Sequence, residues 1–144
     1  MMNMKIRFAL AALLVFGIGL SQTKRSVWDG VFTEEQAKRG ETRYQEVCAS
    51  CHGDSLEGGE SAPPLAGVAF MANWNSLSVG ELFDRTRSTM PQSKPGSLSR
   101  EVNAEIVAFM LSANQFPAGK ETLSQKSEVL KEIRIEAVKP DRKE

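Results

Sequence analysis

The only two cysteines and the only histidine of the chain fall within five consecutive residues, Cys48-Ala49-Ser50-Cys51-His52. Two cysteines so close together cannot form a disulfide framework, so a chemical role is favoured over a structural one. At the end of a helix, two thiols at this spacing can add to the two vinyl groups on one porphyrin edge, and the adjacent imidazole can then ligate the iron. The C-x-x-C-H pattern therefore predicts one covalent haem c, attached through Cys48 and Cys51 and ligated by His52.

Three other interpretations of the motif fit the sequence less well. A thioredoxin-like C-x-x-C would follow a strand, whereas the residues before Cys48 have a helical pattern and those after His52 are rich in glycine and proline. A zinc site needs about four ligands, and two cysteines with one histidine leave the set incomplete. A chance match is disfavoured because every cysteine and histidine of the chain lies inside the pattern.

The second axial ligand of the iron cannot be another histidine, because the chain has none. Methionine is the natural candidate, since its soft thioether suits haem iron. Met110 lies in an apolar helical stripe and is better explained as core packing. Met71 adjoins Phe70 in an apolar patch and could have either role. Met90 precedes a proline in a loop after a helix, where an irregular backbone can direct it inward, so Met90 is the predicted ligand; an open site is the other alternative.

Helices are predicted on both sides of the motif. Thr33 and Gln36 form a capping-box pattern that begins a helix ending near Val47. Phe70 to Trp74 has the pattern of a short helix, and Ser78 with Glu81 forms a second capping box. The helix that follows must end before Met90-Pro91, because a residue that precedes proline avoids helical geometry. Ser99 is the predicted N-cap of a last helix, whose apolar stripe is Val102, Ile106, Phe109, Met110 and Ala113.

The overall composition sets the class of protein. The 144 residues suffice for one domain with short terminal segments. Apolar residues make up 41% of the chain, as in ordinary globular proteins. The 18 basic and 18 acidic residues balance, so there is no basic field to bind nucleic acid.

The N-terminal segment has the pattern of an export signal. Lys5 and Arg7 precede an uncharged apolar run from Phe8 to Leu20. The run is short for a spanning helix, which needs about 20 residues. We therefore predict that residues 1–21 are a cleaved signal peptide and that the protein is periplasmic, with no stable membrane insertion. An uncleaved segment that anchors the protein to the membrane is the alternative.

The remaining chain divides by composition into a leader at 22–32, a domain at 33–117 and a charged tail at 118–144. From residue 120 onward, seven basic and six acidic residues occupy 25 positions. Ile133-Arg134-Ile135 alternates as a strand does, but one short strand has no visible partner in the sequence. The tail is expected to wrap over the domain surface or to be partly disordered.

From about Phe32 to Pro117, the order of these motifs resembles the class I c-type cytochromes. The shared order is a helix ending in C-x-x-C-H, a Pro-x-Leu loop, a helix, a methionine before proline, and a C-terminal helix. The resemblance implies an all-α cytochrome c fold, with three to five helices around one covalent haem. Within that family, the chain resembles the cytochrome c that accompanies bacterial quinoprotein alcohol dehydrogenases.

The resemblance also implies roles for residues outside the motif. Pro63, or else Pro64, matches the proline whose carbonyl accepts the ring N–H of the ligating histidine. Leu65 is similar to a residue that packs on the haem face. Trp74 resembles the tryptophan that donates to a haem propionate, although a plain core aromatic is an equal alternative.

The resemblance further implies a close crossing of the first and last helices. Gly40 and Tyr44 match the small and aromatic positions of the first helix, and Ile106 and Phe109 match their partners on the last. Gly40 is then explained by helix backbones too close together to admit a side chain.

These features predict a one-electron carrier rather than an enzyme, because two filled axial positions leave the iron no place for a substrate. The expected partners are a dehydrogenase as electron donor and an oxidase or another cytochrome as acceptor. Two alternatives remain: a haem subunit of a quinoprotein dehydrogenase complex, and a haem-based gas sensor if the sixth position is labile.

Overall fold

The computed structural model describes residues 24–141, so the predicted signal peptide lies outside the described residues. The helices are α1 (Glu34–Val47), α2 (Ala49–His52), α3 (Gly67–Trp74), α4 (Val79–Thr89), α5 (Arg100–Ala113) and α6 (Ser127–Leu130), with short strands β1 (Arg25–Ser26) and β2 (Ile133–Arg134) and a 3-10 turn at Val27–Asp29. The all-α prediction is confirmed. The count exceeds the expected three to five helices because α2 and α6 are single turns of four residues.

The predicted caps begin the helices, with one difference in detail. Both halves of the Ser78–Glu81 capping box are present. The Thr33 hydroxyl accepts from the Gln36 amide at 3.1 Å, as predicted. The Gln36 side chain, however, does not return to Thr33: its Nε2 donates to the Leu123 carbonyl at 3.1 Å, and its Oε1 accepts from the Leu123 amide at 2.6 Å. A buried glutamine thus ties the start of α1 to the tail.

Helices α1 and α5 form the most extensive helix–helix contact, and they cross at Gly40. A Cβ atom at Gly40 would overlap the Glu105 carbonyl group and lie 3.0 Å from the Phe109 Cβ. One turn along, the rings of Tyr44 and Phe109 pack with centroids 5.3 Å apart. The predicted close crossing is present, with the Glu105 backbone rather than Ile106 directly against Gly40.

The predicted apolar stripe of α5 is narrower than the surface that the helix buries. Ile106 and Met110 are buried, whereas Val102, Phe109 and Ala113 are only partly buried. The buried apolar residues outside the predicted stripe are Ala104, Val107, Ala108 and Leu111. This broad burial arises because α5 packs against both α1 and α4, so its core-facing surface exceeds one stripe.

The leader and the tail both contribute to the core. Their buried apolar residues are Val27, Val31, Phe32, Leu123, Leu130, Ile133 and Ile135. The strand partner that the sequence did not reveal is the leader, since β1 pairs in parallel with β2. Trp28 reinforces this pairing by donating its indole N–H to the Glu136 carbonyl at 2.8 Å. The packed unit therefore extends beyond 33–117 at both ends. The tail contributes buried side chains to the core in addition to covering the surface.

Two glycines permit the close approach of these terminal segments. Gly30 has a φ of +66°, and a Cβ built on it would lie 2.9 Å from the Gly119 Cα. The Gly119 amide donates to the Phe32 carbonyl at 2.6 Å.

Within residues 24–141, no helix has the length and apolar character to cross a bilayer.

Candidate haem-binding site

The C-x-x-C-H motif lies at the junction of α1 and α2. Cys48 caps the C-terminus of α1, where its amide donates to the Tyr44 carbonyl at 2.8 Å. The Cys48 carbonyl in turn accepts from the amides of Cys51 and His52 at 3.1 and 3.0 Å. The two cysteines are three positions apart in the sequence. Within a helical turn, residues at this spacing are neighbours on one face of the helix.

Both cysteines are free thiols, Cys48 half-buried and Cys51 exposed. Burial, with a smaller contribution from the nearby Cys51, raises the pKa of the Cys48 thiol to about 11. A reactive thioredoxin-like cysteine has a lowered pKa instead. The motif also follows a helix rather than a strand, so neither its chemistry nor its setting fits the thiol-exchange alternative.

The single imidazole is held by the loop that follows it. His52 is 8% exposed, and its Nδ1 lies 2.8 Å from the Pro63 carbonyl oxygen. When Nδ1 donates to that carbonyl, Nε2 is the nitrogen with a free lone pair. Of the two prolines considered from the sequence, Pro63 makes the contact. The loop is also closed by the Gly58 amide, which donates to the His52 carbonyl at 2.7 Å.

The same loop is tied to the end of α5 by Asn114, the C-cap of that helix. Its Nδ2 donates to the Leu65 carbonyl at 3.0 Å, and its Oδ1 accepts from the Gly67 amide at 2.9 Å. Leu65 is partly buried and packs against the core. An asparagine at a helix end is the only sequence signal for these bonds, and it does not identify their distant partners.

The three candidate methionines lie in different environments. Met110 is 2% exposed in the core, in keeping with a packing role. Met71 is partly buried on α3 against the same core. Met90 is the C-cap of α4, in extended geometry and partly buried, with its amide bonded to the Thr86 carbonyl at 2.9 Å. The backbone thus leaves helical geometry at Met90, as the following proline predicts.

Comparison with known proteins identifies the family. Residues 35–110 match the family model described as cytochrome c oxidase, cbb3-type, subunit III. Cytochrome c-551 of Bacillus subtilis (strain 168) is 33% identical over 108 residues, which cover 74% of this chain and 89% of that protein. The chain belongs to the class I c-type cytochromes.

The fold of this cytochrome also has a solved counterpart. A chain of the sulfane dehydrogenase SoxCD from Paracoccus pantotrophus matches with a TM-score of 0.51 and 23% identity. The match covers 74% of this chain, but only 61% of the length of that chain. At this identity the similarity concerns the fold.

The residues present fit the haem c that the family implies. Two free thiols and an oriented imidazole share one helical turn. Zinc has no comparable set, since residues 24–141 contain no group of three or more His, Cys, Asp or Glu side chains that could hold a metal ion. Trp74, the predicted propionate donor, ends α3 partly buried beside Phe70, with ring centroids 6.4 Å apart. Its indole N–H has no acceptor among the described residues, so it is available to a ligand.

A charged residue of α4 was missed in the sequence. Arg87 lies one turn before Met90, and its Nε is buried without a hydrogen-bond partner among residues 24–141. The signal that could have identified it is its spacing, because it follows Phe83 by four residues and so lies on the apolar face of the predicted helix.

Proposed function

We propose that this cytochrome carries single electrons on one haem c, attached through Cys48 and Cys51, with His52 and Met90 as axial ligands. The observation that carries the proposal is the Pro63 carbonyl 2.8 Å from His52 Nδ1, beside two free thiols on the same turn. When bound, haem c supplies reversible exchange of one electron between ferrous and ferric iron.

The cysteines would attach the cofactor by addition. Each thiol would add across one vinyl double bond, with the sulfur bonded to one carbon and the thiol hydrogen to the other, so that no electron would be gained or lost. The half-buried Cys48 would hold one link, and the exposed Cys51 would hold the other near solvent. An exposed haem edge would suit brief docking of a redox partner through a small, partly polar contact.

The protein's further contribution is to fix both ligands. Hydrogen bonding to Pro63 sets the tautomer and the ring orientation of His52 and raises its basicity as a ligand. Met90 is supplied by the end of α4, whose capping box and buried residues Leu82 and Phe83 hold that helix in place. Ligands on well-packed elements change little between oxidation states, which favours transfer of electrons over chemistry on a substrate.

For partners, we propose a dehydrogenase that donates electrons and an oxidase or a second cytochrome that accepts them, in the periplasm. The second candidate is a haem subunit of a dehydrogenase complex, including the quinoprotein type. The similarity in fold to a chain from a sulfane dehydrogenase structure supports this second candidate.

The test is to express the full chain in a host that exports it and attaches haem c, and then to record intact mass and absorption. We expect the mass of residues 22–144 plus one haem, a Soret band, and no carbon monoxide binding by the ferrous form. Cys51→Ala should lose a thioether link, whereas Ser50→Ala, at an exposed position between the cysteines, should not. A bare polypeptide mass without a Soret band would contradict the proposal, and ready carbon monoxide binding would instead favour a gas sensor.

Separate measurements address the partners and the location. Fractionation should recover the protein in the periplasm, and recovery with membranes would indicate an uncleaved anchor. Purification of the untagged protein distinguishes a carrier, which elutes alone, from a subunit, which elutes with a dehydrogenase.

A further inference from the structure

One face of α4 combines apolar packing with a single cation. Val79, Leu82 and Phe83 on this face are buried in the core. Arg87 is four residues after Phe83 and three before Met90, so these three side chains share one face of the helix. Arg87 is partly buried, and its Nε lies on the side of α4 that faces the protein interior.

The Arg87 side chain has no partner within the described part of the chain. Its Nε is buried, and the guanidinium makes no hydrogen bond or ion pair with residues 24–141. Buried polar groups in native proteins are almost always hydrogen-bonded, and an unpaired buried donor is costly. Because the guanidinium is always charged, it cannot avoid this cost by losing its proton.

The acidic residues of the same helix are already engaged. Asp84 accepts from the Ser127 hydroxyl at 2.5 Å and lies 3.6 Å from the Lys131 ammonium. Glu81 is held by the Ser78 amide and hydroxyl at 2.7 and 2.8 Å. Neither carboxylate of α4 is paired with Arg87, so an anion that satisfies it must come from outside the helix.

We infer that Arg87 binds a haem propionate, which rests on the proposed function. Haem carries two carboxylates on one porphyrin edge, and Met90, the proposed iron ligand, lies one helical turn from Arg87. The planar guanidinium can give two parallel N–H bonds to a carboxylate, a geometry that lysine cannot reproduce. Arg87 is thus a cofactor-binding residue that joins the Met90 side of the site to the porphyrin edge.

The pairing has a consequence for the iron. A propionate paired with a fixed cation stabilises the ferric form less than an unpaired propionate does, because the cation offsets the negative charge. Loss of Arg87 should therefore lower the reduction potential. The guanidinium also holds the carboxylate in one orientation, which a vibrational spectrum of the haem can detect.

The experiment uses haem-loaded full-length protein and compares Arg87→Gln with Arg85→Gln. Arg85 is the matched control, because it is an exposed arginine of the same helix and its loss changes the net charge equally. We expect the propionate-bending band in the resonance Raman spectrum to shift in Arg87→Gln and to stay in place in Arg85→Gln. The reduction potential should fall more in Arg87→Gln than in the control.

Arg87→Lys covers the case in which the glutamine variant does not fold. It keeps the charge but loses the paired N–H geometry, so the band should shift in the same direction by a smaller amount. If wild-type haem protein and every foldable Arg87 variant share the same band, and their potentials match that of the control, the inference is overturned. That result leaves the proposed function intact, whereas failure of the wild-type chain to acquire haem would overturn the proposed function itself.

Discussion

Substitution of Gly40 tests the crossing of α5 with α1, the helix that ends at Cys48. We consider Gly40→Ala, the smallest change that adds a Cβ atom. That atom would overlap the Glu105 carbonyl group, and it would lie 3.0 Å from the Phe109 Cβ. The overlap is with backbone in the middle of a packed helix, which cannot rotate away as the end of a long side chain can. The two helices must therefore separate to admit the methyl group.

The expected magnitude follows from two opposing effects. In a helix interior, alanine is favoured over glycine by about 1 kcal/mol. Overpacking a well-packed contact costs typically about 1–3 kcal/mol, and occasionally more. Overlap with a carbonyl group places this site at the upper end of that range. We therefore expect a net loss of about 2 kcal/mol in the free energy of unfolding, and a larger loss for Gly40→Val.

The assay is urea unfolding of the haem-loaded protein, followed by circular dichroism. The control is Glu41→Ala, at an exposed position of the same helix, which should change stability by no more than about 0.5 kcal/mol. A loss of about 2 kcal/mol should also lower the melting temperature by roughly 8 °C. If Gly40→Ala is as stable as the wild type or more stable, helix propensity dominates and the crossing does not depend on a missing side chain.

Three further predictions address the iron ligand, the tail and acid stability. Met90→Ala should keep haem attached but lower the potential and admit carbon monoxide to the ferrous iron, and the same result with Met71→Ala instead would refute the ligand assignment. Ile135 has 0% exposure, so Ile135→Ala should lower the free energy of unfolding by about 3 kcal/mol. Val138 has 78% exposure and is the control, so Val138→Ala should change urea unfolding little. Equal effects of the two substitutions would mean that the tail is not packed. Hydrogen bonds from the Ser78 amide and hydroxyl lower the pKa of Glu81 below its ordinary 4.5, so its stabilising contribution is present above that pH and is lost as the pH falls through the lowered value. Glu81→Gln should therefore lose more stability, relative to wild type, at pH 7 than at pH 3, and a difference independent of pH would contradict this assignment.

The parts predicted from sequence are those set by short-range chemistry. Cys48, Cys51 and His52 are adjacent in the chain, so their shared helical turn follows from spacing alone. Helix starts at Ser78 and Ser99 follow from side chains that bond amides three residues away. The contact between Pro63 and His52 was expected only through the family resemblance, because loop closure over eleven residues has no local signal.

The parts that escaped prediction depend on distant partners. The Gln36 side chain could bond the Thr33 backbone, as in a capping box, or it could bond Leu123, 87 positions away. No local sequence pattern decides between these two partners. The tail's few apolar residues are separated by charges, so their burial against the leader was not visible in its composition. For Arg87, the sequence shows a cation on a helix but not whether the surrounding fold supplies an anion.

The pairing of β1 with β2 places the two ends of the packed chain side by side. Because the two strands run in parallel, a peptide that joins the tail to the leader has to run back along the pair. Each strand is only two residues long, so a linker can cover that distance. New termini could then be opened in the surface loop between α4 and α5, which gives a circularly permuted cytochrome with the same core. Comparing the folding of this permuted chain with that of the original chain would show whether folding depends on the pairing of β1 with β2 or on the order in which the helices are synthesised.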